Sequence, residues 1–243
     1  MRGVVDAGGG PLDVDTVASP GSWDAATAAA GCLLDAVYMA MDGRATRSFC
    51  AVRPPGHHAL RGRAMGFCLF GNVAVAAHYA RGRHGVDRVL IVDWDVHHGN
   101  GTQALVEADP NIHFVSMHQW PWYPGTGPAE DRGPRETIWN VPMGAGLPAD
   151  RYVSAFLRAV DAATKDWTPE LVFISAGFDS LAGDPLGGFT LEMSHVDLLT
   201  REMAARADAW CGGRLVSALE GGYVPERLGE ACVVMIEGLG ARG

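Results

Sequence analysis

Two carboxylates and two imidazoles directly follow an apolar run in the segment DRVLIVDWDVHHGNGTQ, residues 87–103. Val89, Leu90, Ile91 and Val92 have the uninterrupted apolar character of a buried strand, and Asp93, Asp95, His97 and His98 stand at its end. Burying such groups without partners is costly, and a shared metal ion satisfies several of them at once. A strand directs alternate side chains to the same side, so Asp93, Asp95 and His97 emerge together if the extended conformation continues past the strand. Asp95 and His97 then offer two ligands to one ion, and Asp179, in SAGFDSLAGDPLGG, offers a third. Two carboxylates and one imidazole leave a divalent ion nearly neutral with open coordination positions, which suits catalysis better than a closed structural site. Without a thiolate in the set, softness does not separate Zn2+ from Fe2+, and prevalence favours zinc.

The elements that must position these residues are legible as an alternation. Helices are predicted from Ser22, over residues 70–81, 99–108 and 149–166, from His195 to about Ala209, and after Pro225. Strands are predicted at residues 48–52, 87–93, 111–117, 137–141, 170–176 and 214–220. The Gly-rich start before Ser22 carries no periodic signal. Strand and helix alternate and the strands are apolar throughout, which implies a mainly parallel sheet covered by helices on both faces. In such sheets the ligand crevice lies beyond the carboxyl ends of the strands. His57 and His58 follow one predicted strand, the Asp93 to His98 group a second, His118 a third, Asp179 a fourth and Tyr223 a fifth. Five strand ends therefore converge on one site, with His118 expected to line its rim.

Apolar residues make up 48% of the 243 and charged residues 19%, the balance of a globular chain, expected to form one domain over residues 1–243. A net charge of -9 without any basic stripe argues against nucleic acid as a direct partner and accords with a cationic substrate. No stretch reads as a membrane span, and the first residues carry no leader pattern, so a cytoplasmic protein is expected. The five cysteines lack C-x-x-C spacing and are expected to be reduced core residues.

RPPGHH, GFCLFGN, VDWDVHHGNGTQ, SMHQWPWYPGTG, SAGFDSLAGDPLGGF and LEGGY occur in an order and spacing that resemble the histone deacetylase and acetylpolyamine amidohydrolase superfamily, in its class II-like branch. The resemblance covers the chain from about Asp15 onward. It implies a three-layer α/β fold of the arginase/deacetylase type, with Asp95, His97 and Asp179 as zinc ligands. By the same resemblance His57 and His58 match tandem catalytic histidines, Asp93 the carboxylate orienting the first, and Tyr223 the phenol opposite the metal. Phe67 and Leu186 match walls of a narrow tunnel for an acyl chain, and Asp15 a rim carboxylate that holds the substrate backbone. Asn100 stands where some relatives have Asp, which leaves His58 less cationic. A structural K+ bound through backbone carbonyls and Ser116 is also implied.

The expected activity is hydrolysis of N-acyl amides by metal-activated water. The substrates implied are an acetylated lysine peptide, a polyamine or a small acylated amine. The alternatives are a metal-dependent esterase, an arginase-like ureohydrolase and a non-catalytic acyl-lysine binder. A ureohydrolase needs further bridging carboxylates for a second metal, where this sequence has Trp94 and Val96 between its ligands. A mere binder needs neither Tyr223 nor the tandem histidines. Relatives usually carry one more strand and helix before the region matched here; the sequence is then either a truncated one or a natural short form, and for the short form a more open pocket and an exposed sheet edge favouring a homo-oligomer are expected.

Overall fold

The computed structural model describes residues 1–241. A short helix α1 (Arg2–Asp6) and an antiparallel ribbon of β1 (Gly10–Pro11) and β2 (Val17–Ala18) come first. The alternation then runs α2 (Ser22–Met41), β3 (Arg47–Cys50), α3 (Asn72–His84), β4 (Val89–Asp93), α4 (Asn100–Val106), β5 (Ile112–Gln119) and β6 (Ile138–Met143). It ends with α5 (Ala149–Thr164), β7 (Leu171–Ala176), α6 (Met193–Cys211), β8 (Leu215–Leu219) and α7 (Pro225–Gly240). Strands β3 to β8 form one six-stranded sheet in the order β3-β8-β7-β4-β5-β6, and every pairing in it is parallel.

The alternation of side chains along each strand divides the core into two layers. Leu90 and Val92 of β4, with Val172 and Ile174 of β7, pack against Phe156, Met203 and Met235 from α5, α6 and α7. Val89 and Ile91, with Leu171 and Phe173, pack on the other face against Leu33, Val37, Ala76 and Ala77 from α2 and α3. These side chains are fully buried, and each such burial stabilises the fold by roughly 1.5–3 kcal/mol for the larger aliphatics. Strands β4 and β7 are buried at every residue because helices cover both faces. The three-layer α/β arrangement is thus the expected one.

Local chemistry sets the element ends. Helix α3 stops at Gly85, whose φ of 69° is the left-handed conformation that closes a helix C-terminus. Helix α6 begins two residues before the predicted His195, because Glu192 and His195 form a reciprocal capping box. Strand β5 continues two residues beyond its prediction, since His118 and Gln119 pair with Pro142 and Met143 of β6. No described helix is long and apolar enough to cross a membrane.

The cysteine expectation needs one correction. All five are free and Cys50, Cys68 and Cys211 are buried, but Cys32 is exposed. It lies on α2 beside β3, and β3 is an edge strand of the sheet.

Candidate active site

The loop leaving β4 carries Asp95 and His97, and the loop leaving the adjacent β7 carries Asp179. The three offer ligand atoms that all lie within 4.8 Å of one another, and all three residues are buried. His97 Nδ1 is 3.0 Å from Asp95 Oδ1 and 3.1 Å from Asp179 Oδ2. Backbone amides fix the carboxylates: His97 N donates to Asp95 Oδ1 at 2.8 Å, Gly221 N to Asp95 Oδ2 at 2.9 Å, and Val96 N to Asp179 Oδ1 at 2.9 Å. Asp179 Oδ2 is buried and takes no well-aligned hydrogen bond, despite its proximity to His97. A Cβ at Gly221 would come within 2.2 Å of that same oxygen, so only glycine lets the β8 loop approach so closely. An orphaned carboxylate oxygen aimed at an imidazole and a second carboxylate is a donor set that fits a divalent cation.

The tandem histidines lie beside this cluster, with ring centroids 4.0 Å apart. His57 Nδ1 donates to Asp93 Oδ2 at 3.0 Å, and its Nε2 is 3.8 Å from Asp95 Oδ1. Burial opposes a charge on His57, yet Asp95 and then Asp93 outweigh it and hold its pKa well above the usual value. His58 is the reverse case: burial and the neighbouring His57 charge hold its pKa well below the usual value. Asn100 Oδ1 lies 2.7 Å from His58 Nδ1, and an amide oxygen only accepts. The proton therefore sits on Nδ1 and Nε2 carries a free lone pair.

Glu220, within the LEGGY motif but without an assigned role in the sequence reading, positions this pair. Its Oε2 accepts from Gly56 N at 2.6 Å and His57 N at 3.1 Å, while Oε1 accepts from Ser175 Oγ at 3.0 Å. The carboxyl thus ties three strand ends together, and burial pushes its pKa up to about 7.

A cleft of about 220 Å³ opens above His58 and His97, walled by Phe67, Tyr123, Trp122, Leu186 and Tyr223. Phe67 and Tyr223 meet edge to face at 5.9 Å, and the Tyr123 ring lies 5.1 Å from His58 and 5.9 Å from His97. Phe67 adopts a φ of 64°, a costly conformation for a bulky residue. The β1–β2 ribbon holds it there: Phe67 N donates to Thr16 Oγ1 and Gly66 N to Asp15 Oδ1, each at 3.0 Å. Asp15 also accepts from the Thr16 hydroxyl and lines the cleft with Tyr123, whose phenol pKa is pushed up by burial and then by the Asp15 charge. Asp184 Oδ2 accepts from Tyr223 N at 2.7 Å and so fixes the start of the Tyr223 loop. Burial, followed by Asp95 and Asp179, pushes the Tyr223 phenol upward, which keeps it a hydroxyl donor.

His118 is a correction. It is fully buried below the cleft, with Nε2 2.8 Å from Gly127 O and Nδ1 3.1 Å from Ser116 Oγ, so it has no ring nitrogen free for a substrate. Ser116 is buried opposite Asp93 in the β4–β5 pairing. Burial lowers the His118 pKa to about 4 against the opposing bonds to Gly127 and Ser116. Below about pH 6.5 the unfolded chain takes up a proton that the folded chain refuses, so this stability is lost as pH falls toward 4. A urea midpoint measured at pH 5 is expected to show a loss of about 2 kcal/mol from this group relative to pH 7. His118→Gln should reduce that loss, and an unchanged loss would exclude the histidine as its source.

A parallel α/β sheet brings an Asp-His-Asp cluster that could hold a metal ion, a histidine pair and a phenol to one cleft. Residues 4–239 match the histone deacetylase domain family, and the chain belongs to that family. It is 41% identical over 227 residues to a histone deacetylase-like amidohydrolase of Pseudomonas aeruginosa, covering 92% of this chain and 60% of that one. It is 42% identical to the uncharacterized protein slr0245 of Synechocystis, over 97% of this chain and 76% of that one. The crystal structure of the HDA15 HD domain superposes with a TM-score of 0.91 at 37% identity, over 99% of this chain and 70% of that one.

Proposed function

We propose that this chain is a zinc-dependent deacetylase that hydrolyses N-acyl amides of lysine side chains or polyamine-like amines. The observation that carries the reading is the orphaned Asp179 oxygen facing Asp95 and His97 at the floor of a cleft that also holds His58 and Tyr223. Asp95, His97 and Asp179 would hold the ion, whose chemistry when bound is to activate water and polarise the amide carbonyl. His58 accepts the proton of the attacking water at its free Nε2 and returns it to the departing amine. His57, held cationic by Asp95 and Asp93, favours the negative charge that develops nearby. The Tyr223 hydroxyl donates to the negative charge that develops on the amide carbonyl oxygen as water adds to the carbon. Phe67 and Tyr123 exclude water and suit a slim aliphatic stem, while the acidic balance of the chain favours an amine-bearing carrier.

The test uses protein loaded with Zn2+ and, separately, with Fe2+. Both are assayed against acetyl-lysine peptides, acetylated polyamines and simple esters. Turnover of an amide that a chelator abolishes and Zn2+ restores is the expected outcome. Stoichiometric binding of the acetyl-lysine peptide without turnover, or ester hydrolysis alone, overturns it.

A further inference from the structure

Cys32 and Cys50 belong to none of the machinery described above. Cys32 sits on α2 and is exposed, whereas Cys50 ends β3 and is buried. The Cys50 thiol lies 3.9 Å from the Cys32 carbonyl oxygen, and the Cys32 thiol is near enough to act on its ionisation. Both residues line one groove of about 530 Å³ between α2 and the edge strand, together with Ala28, Gly31 and Asp35. The small residues leave the Cys32 sulfur open to a small oxidant. The other cysteines are placed differently: Cys68 beside the His58 amide, Cys211 at the end of α6 with its sulfur against Ala207 and Arg214 carbonyls, and Cys232 on α7.

We propose that Cys32 and Cys50 form a reversible disulfide when the protein meets a peroxide. The Cys32 thiolate attacks a peroxide oxygen: an S–O bond forms, the O–O bond breaks, and one water leaves once protonated, giving a sulfenic acid on Cys32. The Cys50 sulfur then displaces the hydroxyl from Cys32. The S–S bond forms, the S–O bond breaks, and the Cys50 proton leaves with that hydroxyl as a second water. Two thiols are oxidised to one disulfide and hydrogen peroxide is reduced to two waters. Burial, with Cys32 adding to it, raises the Cys50 pKa, so Cys50 is the resolving partner and Cys32 the point of attack. The cross-link ties α2 to the strand whose continuation carries His57, which makes it a modification site one short loop away from the tandem histidines.

The full chain is exposed to hydrogen peroxide and read by thiol titration, intact mass and non-reduced peptide mapping. The expected result is the loss of two titratable thiols, a mass lower by two hydrogens and one linked peptide pair joining Cys32 to Cys50, all reversed by dithiothreitol. Cys32→Ser, at an exposed position, is expected to lose no hydrogens under the same treatment. In Cys50→Ala, Cys32 is expected to gain oxygen instead and to progress to a form dithiothreitol does not reverse. Oxygen addition at Cys32 with Cys50 still free in the wild type, a linkage through another cysteine, or no reaction at Cys32 would each overturn the proposal.

Discussion

Asp179→Asn is expected to leave a folded protein with almost no bound metal and roughly a thousandfold less amidase activity. The fold should survive because the asparagine oxygen can still accept from Val96 N, the contact that Asp179 Oδ1 makes at 2.9 Å. What changes is the other oxygen, the one that is buried without a hydrogen bond and 3.1 Å from His97 Nδ1. An amide nitrogen there is a donor, and it cannot ligate a cation. Lewis-acid stabilisation of a transition state contributes several kcal/mol, and about 4 kcal/mol corresponds to the thousandfold loss. Removing one of two buried carboxylates also relieves their mutual repulsion, so the metal-free variant should melt no lower than chelated wild type. Metal content by mass spectrometry, activity and thermal unfolding are measured on the same preparations. Full metal occupancy in Asp179→Asn would remove Asp179 from the ligand set, whatever the activity.

How much of this site was visible in the sequence depends on how each residue is placed. Asp95 and His97 were legible because strand periodicity alone puts them on one side after Val92, and Asp179 because it closely follows an apolar strand that becomes the direct neighbour of β4. The alternation of β4, α4, β5 and β7 with helices carried the sheet, since burial on both faces forces apolar continuity. Its order β3-β8-β7-β4-β5-β6 was not legible, because a parallel crossover leaves no mark on the residues it bypasses. Glu220 was missed for the same reason. Its partners Gly56 and Ser175 are far away in the chain and adjacent only once β8 lies between β3 and β7. Trp122 and Tyr123, within SMHQWPWYPGTG, had no role assigned from the sequence, yet Trp122 Nε1 donates to Leu186 O at 2.8 Å and the pair walls the cleft.

The error at His118 is instructive in a different way. Standing near the end of a strand does not decide which way a side chain points, and Ser116 and His118 share one face of β5 through the two-residue repeat. That face is sealed by the Gly127 turn. A Cβ at Gly127 would come within 2.8 Å of His118 Nε2, so the loop after Tyr123 closes directly over the ring. The ribbon of β1 and β2 was missed because two-residue strands have no periodicity to detect, although it supplies the Asp15 and Thr16 contacts that hold Phe67.

Tyr223→Phe is expected to lower kcat by about a hundredfold to a thousandfold with little change in KM. The substitution removes one oxygen. It leaves the ring that meets Phe67 at 5.9 Å and the backbone amide that Asp184 holds at 2.7 Å, so the wall of the cleft and the loop conformation persist. An unchanged KM follows if the hydroxyl bonds the substrate chiefly as negative charge develops on oxygen, and a loss confined to kcat is the signature of such a donor. The raised phenol pKa matters here, because a phenolate would repel that charge and the hydroxyl is the only form that helps. Asp184→Asn provides the contrast. It keeps an acceptor for the Tyr223 amide only in one amide orientation, so it should loosen the aim of the phenol and cost less than its removal. Steady-state kinetics on an acetyl-lysine peptide, with bound metal checked in each variant, decide the matter. A Tyr223→Phe enzyme that keeps its kcat and loses KM instead would assign the tyrosine to ground-state binding and leave the oxyanion to other donors.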